Sequence, residues 1–211
     1  MEVHNEKLTP GRIGIYILGI FLVSFGIVLC KKCGLGISPI SSIPFVLAEA
    51  LPITLGNLTT LFHFVNIALQ MLMARTVRDL GIWLQVPLAF VFGWVIDWMN
   101  RVVVIDNTVL LWQILVLVFS IFFTALGMIC MLGMNLIQNP PDGTVRQISI
   151  LQNRELGTVK IIYDVCCTGI SILLGLALLR EIKGFGIATV ASAVFTGKTI
   201  VWIRRAIRTT I

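Results

Sequence analysis

Charge is scarce in this sequence. Only 12% of its 211 residues are Asp, Glu, Lys or Arg, while 57% are hydrophobic. Soluble domains carry ~25% charged residues. That shortage excludes a soluble domain and predicts an all-α protein that crosses a membrane several times. Histidine is scarce too, with two copies. The five cysteines are Cys30, Cys33, Cys130, Cys166 and Cys167. Cys30-x-x-Cys33 has the spacing of a redox or metal pair. No histidine and no second cysteine pair supports it, so it reads as small residues at a helix end. A nucleotide-binding loop, a metal-ligand cluster and a nucleophile elbow are all missing, and no credible base follows Ser41 or Ser42. The chain is therefore not expected to be an enzyme or to hold a cofactor or metal.

What charge there is sums to +6. The basic residues stand at the ends of apolar runs, which is a topology signal and not a sign of nucleic-acid binding. Six such runs can be drawn, at 12–30, 57–75, 82–100, 109–133, 158–179 and 185–203. Each is long enough to cross a hydrocarbon core, which takes ~20 residues. Residues 1–11 are polar, and no small-x-small cleavage pattern follows the first run, so it reads as a retained span. Placing both termini in the cytoplasm puts ten Lys and Arg inside (Lys7, Arg12, Arg75, Arg78, Arg146, Arg154, Lys160, Arg204, Arg205, Arg208) and five outside (Lys31, Lys32, Arg101, Arg180, Lys183). That excess favours both termini cytoplasmic in the plasma membrane. Trp83, Trp94, Trp98, Trp112 and Trp202 mostly lie near run ends, where indoles prefer the interface. Gly169, Gly175, Ala177, Gly184, Gly186 and Gly197 offer close helix approach.

One stretch fits neither a span nor a loop. Gly34 and Gly36 loosen the backbone, Ser38 can cap a helix, and Pro39 suits its first position. About a dozen mostly apolar residues follow up to Pro52, too few to span ~30 Å. The design recurs 101 residues later at Asn139-Pro140-Pro141-Asp142, where the carboxylate can reach back to the cap. The same shift superposes Phe21 on Phe122, Gly26 on Gly127, Leu35 on Leu136, Pro39 on Pro140 and Leu55-Gly56 on Leu156-Gly157. Two repeats of three spans and one half-helix are thus expected. Three is odd, so the second repeat enters from the opposite side, the inverted arrangement of many transporters. The divisions are a tail 1–11, a repeat 12–101, a linker 102–108, a repeat 109–205 and a tail 206–211.

Gly34-Leu35-Gly36-Ile37-Ser38-Pro39, Leu55-Gly56 and Pro140-Pro141-Asp142-Gly143 resemble the YczE/YitT-type bacterial integral membrane proteins, across about residues 12–205. In that family the Gly-x-Gly-x-Ser-Pro run commonly continues with an aromatic and an aspartate. Here Ile40-Ser41 stand instead, and the second copy keeps Asp142. The resemblance implies a small multi-pass plasma-membrane protein of transporter-like character. It supplies no substrate and no catalytic residue.

Ionisable residues inside spans are functional candidates by default. Here they are His63, Asp97, Asp164 and Lys198. Under the repeat His63 maps onto Asp164 and, less securely because of an insertion after residue 75, Asp97 onto Lys198. Helix arithmetic sets Asp164 and Lys198 level, ~6 Å to the cytoplasmic side of the midplane. A direct or water-bridged pair is expected there, with His63 and Asp97 as its mate. The competing readings are Asp97 paired with Arg101, His63 as a buried histidine served by Asn57, Asn66 or Gln70, and Lys198 reaching the headgroups along its stem. The half-helix starts add partial positive charge and free N–H groups. The candidate solute-binding residues are therefore Ser38, Pro39, Ser41, His63, Asn139, Asp142, Asp164 and Lys198. The expected partners are the lipid bilayer and a small polar or anionic solute, with a homo-oligomer allowed and nucleic acid not expected. A non-transporting membrane scaffold is the alternative.

Overall fold

The computed structural model describes residues 9–76, 79–105, 109–134 and 136–210, except the side chains of residues 204 and 207–210. Lys7, Arg78, Arg204 and Arg208 of the orientation count, and the N-terminal tail before residue 9, thus fall wholly or in their side chains outside the described residues. Every described element is helical. In chain order they are α1 (Pro10–Lys32), α2 (Pro39–Ala50), α3 (Leu55–Ala74), α4 (Leu80–Trp83), α5 (Gln85–Val102), α6 (Leu110–Met134), α7 (Pro140–Gln152), α8 (Leu156–Leu178) and α9 (Ile187–Thr210). α4 and α5 together form one apolar stretch, Leu80–Val102.

Five helices are long and apolar enough to cross a membrane: α1, α3, the α4–α5 stretch, α6 and α8. The protein is membrane-embedded. The sixth expected run is less uniform. Within α9 the described residues give a shorter apolar stretch, Ile187–Ile203, and Arg204-Arg205 come next in the sequence. Both short helices begin where the sequence places them, with Ser38 and Asn139 extended at the cap and proline at the first helical position. α2 stops at Leu51, which is extended before Pro52, and α7 stops at Asn153 in the left-handed region (φ 49°). Asparagine tolerates that conformation at a helix end.

The core is the crossing of α1 and α6. They run antiparallel. The Arg12 guanidinium donates to the Met134 carbonyl (2.7 Å) near the start of α1, and Phe25 meets Phe123 edge-on further along. Glycines bring the backbones together. A side chain on Gly26 would meet Thr124 and, at 2.9 Å, the Ser120 carbonyl. One on Gly127 would meet the Gly19 carbonyl (2.7 Å) and Val23. α5 packs on α1 and α9 packs on α6. Each short helix packs against the third helix of the other half: α2 on α8, and α7 on α3. Their first turns (Pro39, Ser41, Ser42; Pro140, Pro141, Gly143, Thr144) are buried, while Leu51, Ile150 and Leu151 beyond them are exposed.

Gly34 and Gly36 adopt positive φ (74° and 110°), which a side chain would disfavour. They turn the segment before α2 against the loop before α9. The Ile37 amide donates to the Gly184 carbonyl and the Ala188 amide to the Leu35 carbonyl, both at 2.9 Å. Gly184 and Gly186 therefore serve this backbone clamp and not helix packing. Gly169 and Gly197 have no atom within 4 Å of a side chain they lack, so the close helix approach expected of them is not made here.

Candidate functional site

The first turn of α7 meets α3 and α8 in a polar cluster. Lys160 and Asp164 are four residues apart on α8, hence on one face. The Lys160 ammonium sits 3.3 Å from Asp142 Oδ1 and 3.5 Å from Asp164 Oδ1. All three side chains are less than a third exposed. One cation is thus shared by two carboxylates, at separations longer than the ~2.7–2.9 Å of a tight charge-assisted bond. Asn139 does not cap α7. Its Nδ2 donates to Asp142 Oδ2 (3.4 Å), and its buried Oδ1 has no partner.

Neutral polar residues frame this centre. The Tyr163 hydroxyl donates to Asn66 Oδ1 (2.6 Å), and the Thr144 hydroxyl donates to the Asn66 carbonyl (3.2 Å). Gln70 and Gln85 exchange two amide bonds of 2.9 Å, and Gln70 Nε2 also donates to the Pro140 carbonyl (3.0 Å). These bonds tie α3, α5, α7 and α8 together and give the buried amides of Gln70 and Gln85 and the carbonyl of Asn66 partners, as most buried polar groups have. His63 is 4% exposed, with its ring edge-on to Phe92 (centroids 5.6 Å) and its Nδ1 unpartnered.

The first turn of α2 forms a second, uncharged centre. The Ser38 hydroxyl donates to Ser41 Oγ (3.1 Å) and does not cap the helix. Ser42 Oγ donates to the Pro39 carbonyl (2.6 Å) and reaches the Cys167 carbonyl (3.4 Å). Cys33 Sγ donates to the Cys30 carbonyl (3.0 Å), and both thiols are free and buried, so this pair is part of the packing.

Of the sequence candidates, Asn139, Asp142 and Asp164 come together, and Ser38, Pro39 and Ser41 gather at the other centre. Two expected pairs do not form. Asp164 takes Lys160, one turn away on its own helix, while Lys198 is exposed on α9 with its ammonium over the Phe195 ring (5.6 Å). α9 makes almost no contact with α8, so the level charges have no common face. Asp97 meets neither His63 nor Arg101. Its carboxylate accepts from the Thr54 hydroxyl (2.6 Å) and the Gly56 amide (2.8 Å), capping α3 from α5. Charge at that position complements the helix dipole. Sequence reasoning missed Lys160 by counting it as a topology charge. Its place four residues before Asp164, inside the run 158–179, is the signal that could have found it.

The Asp97 cap gives a first prediction. Asp97→Ala removes two charge-assisted bonds and should lower stability by about 2 kcal/mol. Arg101→Ala, at an exposed position, should stay within ~0.5 kcal/mol. Thermal unfolding in detergent measures both. Equal losses would return Asp97 to a pair with Arg101.

Two surface hollows can be named among the described residues. One lies along Gly197, Lys198, Val201, Trp202 and Arg205 of α9, the other is wholly apolar beside Phe25, Trp112 and Phe119. Neither opens on the polar cluster. No group of three metal-binding side chains occurs among the described residues.

Residues 10–205 match the model of DUF6198, a family of unknown function. The chain belongs to that family. The DUF6198 match begins at the first residue of α1 and takes in both short helices and the whole cluster of Asn139, Asp142, Lys160 and Asp164. No curated protein and no solved structure matches the chain.

Proposed function

We propose that this DUF6198 member is a small secondary transporter in the plasma membrane, with both termini cytoplasmic and α9 as its sixth span. It is built from two inverted three-span repeats, each with a re-entrant half-helix, in keeping with the YczE/YitT-type resemblance. The solute is small and polar or anionic, the half-helix starts provide its seat, and the protein is not an enzyme. The observation that carries the reading is a charged cluster, Asp142–Lys160–Asp164, held between a half-helix start and a membrane helix. Charges at such a site are costly and are kept where solutes or protons move. The core contacts support the repeat. Under the 101-residue shift, Gly26 against Ser120 and Thr124 becomes Gly127 against Gly19 and Val23, and both sets of contacts are made. Such reciprocity is what a two-fold relation requires. Asp164 and His63 are the candidates for proton coupling.

The scaffold reading is the alternative, supported by the small size of the chain. Uptake by proteoliposomes separates the two. A panel of small polar and anionic solutes is offered under an imposed pH gradient. The transporter reading expects uptake of at least one above protein-free liposomes, lost in Asp164→Asn. Folded protein that moves none of the panel favours the scaffold.

A further inference from the structure

The two halves differ where their third and fourth helices meet. In the first half α3 and α5 are in close contact. Gly56 lies against Gly93, leaving no room for a side chain on either, and the Phe64 and Phe90 rings meet edge-on at 5.2 Å between centroids. In the second half α8 and α9 barely touch, although only residues 179–186 separate them. Yet the sequence carries the same interface. Leu55-Gly56 recurs as Leu156-Gly157 under the 101-residue shift. With a shift of 104, which the longer loop before α9 accounts for, Ala89, Gly93, Ile96, Trp98 and Arg101 recur as Ala193, Gly197, Ile200, Trp202 and Arg205. The mate of the Gly56–Gly93 crossing is therefore Gly157–Gly197. The mate of Phe64–Phe90 is Val165–Val194. Both glycines have nothing within 4 Å of a side chain they lack, and both valines are exposed (65% and 44%).

We propose that α9 docks onto α8 through Gly157 and Gly197, as α5 docks onto α3, and that this docking is the second gate of the protein. The inference rests on the inverted-repeat reading above, and it adds the state that the present structure does not occupy. Gly157, Asp164 and Thr168 recur at helical spacing and form one stripe of α8, with Lys160 on its shoulder. Docked α9 covers that stripe, including the part of Asp164 (15% exposed) and Lys160 (30% exposed) that the contact with Asp142 of α7 leaves uncovered. Even partial exposure of ionised groups is unfavourable in lipid, so covering the remainder has a driving force. A glycine-to-glycine approach also gives membrane helices their closest packing. With the α3–α5 crossing closed and the α8–α9 crossing open, the protein is caught with one gate shut and one ajar, the asymmetry that alternating access between related repeats requires.

The test is proximity, read without any solute. Val165→Cys and Val194→Cys are introduced together with Cys166→Ser, all at exposed positions. The protein in liposomes is treated with a mild oxidant and digested, and the linked peptides are mapped. Docking expects a disulfide between residues 165 and 194 within one chain, and Gly197→Trp should reduce it to background. A disulfide that appears only between two chains would instead make this face a contact between copies. No disulfide at all would leave it to lipid. Either outcome overturns the gate. A docked pair in a protein that moves no solute would leave the gate standing and remove the transport reading, so the two can fail separately.

Discussion

Gly93→Val is expected to cost at least ~3 kcal/mol of stability, or to prevent folding. The place its side chain would take is already filled by the Thr60 hydroxyl and by the Gly56 carbonyl at 2.6 Å. Backbone cannot rotate aside as a flexible side chain can, so α3 and α5 would have to separate. Overpacking alone costs ~1–3 kcal/mol. Separation would also break the bonds across the crossing. These are the Thr60 hydroxyl to the Ala89 carbonyl (3.1 Å) and the Asp97 carboxylate to the Gly56 amide (2.8 Å). Gly133→Val and Gly169→Val serve as controls, because neither glycine has an atom within 4 Å of a side chain it lacks. Their thermal midpoints should match the unmodified protein. A Gly93 variant as stable as these controls would mean that the two helices are not in close contact.

Lys160→Met should be the most damaging single change in the polar cluster. It leaves Asp142 and Asp164 near each other with no counter-charge. Breaking a buried ion pair from one side costs ~3–5 kcal/mol, whereas replacing all partners by neutral residues is often tolerated. The triple variant Asp142→Asn, Lys160→Met, Asp164→Asn should therefore be more stable than Lys160→Met alone. Lys198→Met should lose nothing, since Lys198 is exposed and its ammonium lies over the Phe195 ring and pairs with no carboxylate among the described residues. Unfolding of these three variants and the unmodified protein in the same detergent decides the matter. A triple variant less stable than Lys160→Met would show that the three charges are not one unit. A loss in Lys198→Met as large as in Lys160→Met would bring back the pairing of Asp164 with Lys198.

The parts of the fold legible in the sequence are those governed by local rules. Ser38-Pro39 and Asn139-Pro140 mark helix starts because a cap followed by proline has few other uses, and both starts are found there. Run lengths located five apolar helices because a bilayer core sets the length. The cluster was only half legible. Asp142, Asp164 and Asn139 stood out by type and place, but depth arithmetic then chose Lys198 as the partner. Depth fixes only the position along a helix axis. Which faces meet is set by packing, and α9 does not pack on α8. Lys160 reads as a topology charge because basic residues near the end of a run usually signal topology. The sequence offers Asn66 and Gln70 as polar neighbours of His63. Their partners are Tyr163, Thr144, Gln85 and Pro140, on other helices up to 97 residues away, which no local pattern encodes. Asp97 capping α3 from α5 was equally out of reach, because the cap and the capped turn lie 41 residues apart.

The inverted repeat carries the functional account, and side-specific labelling tests it most directly. Ile53 follows α2, and its mate under the 101-residue shift, Arg154, follows α7; both are exposed. Each is changed to Cys in a Cys166→Ser background, in intact cells, and treated with a membrane-impermeant maleimide. The account predicts that residue 53 labels from outside and that residue 154 labels only after the cells are opened. Labelling of both from the same side would contradict it, because the two halves would then share one orientation.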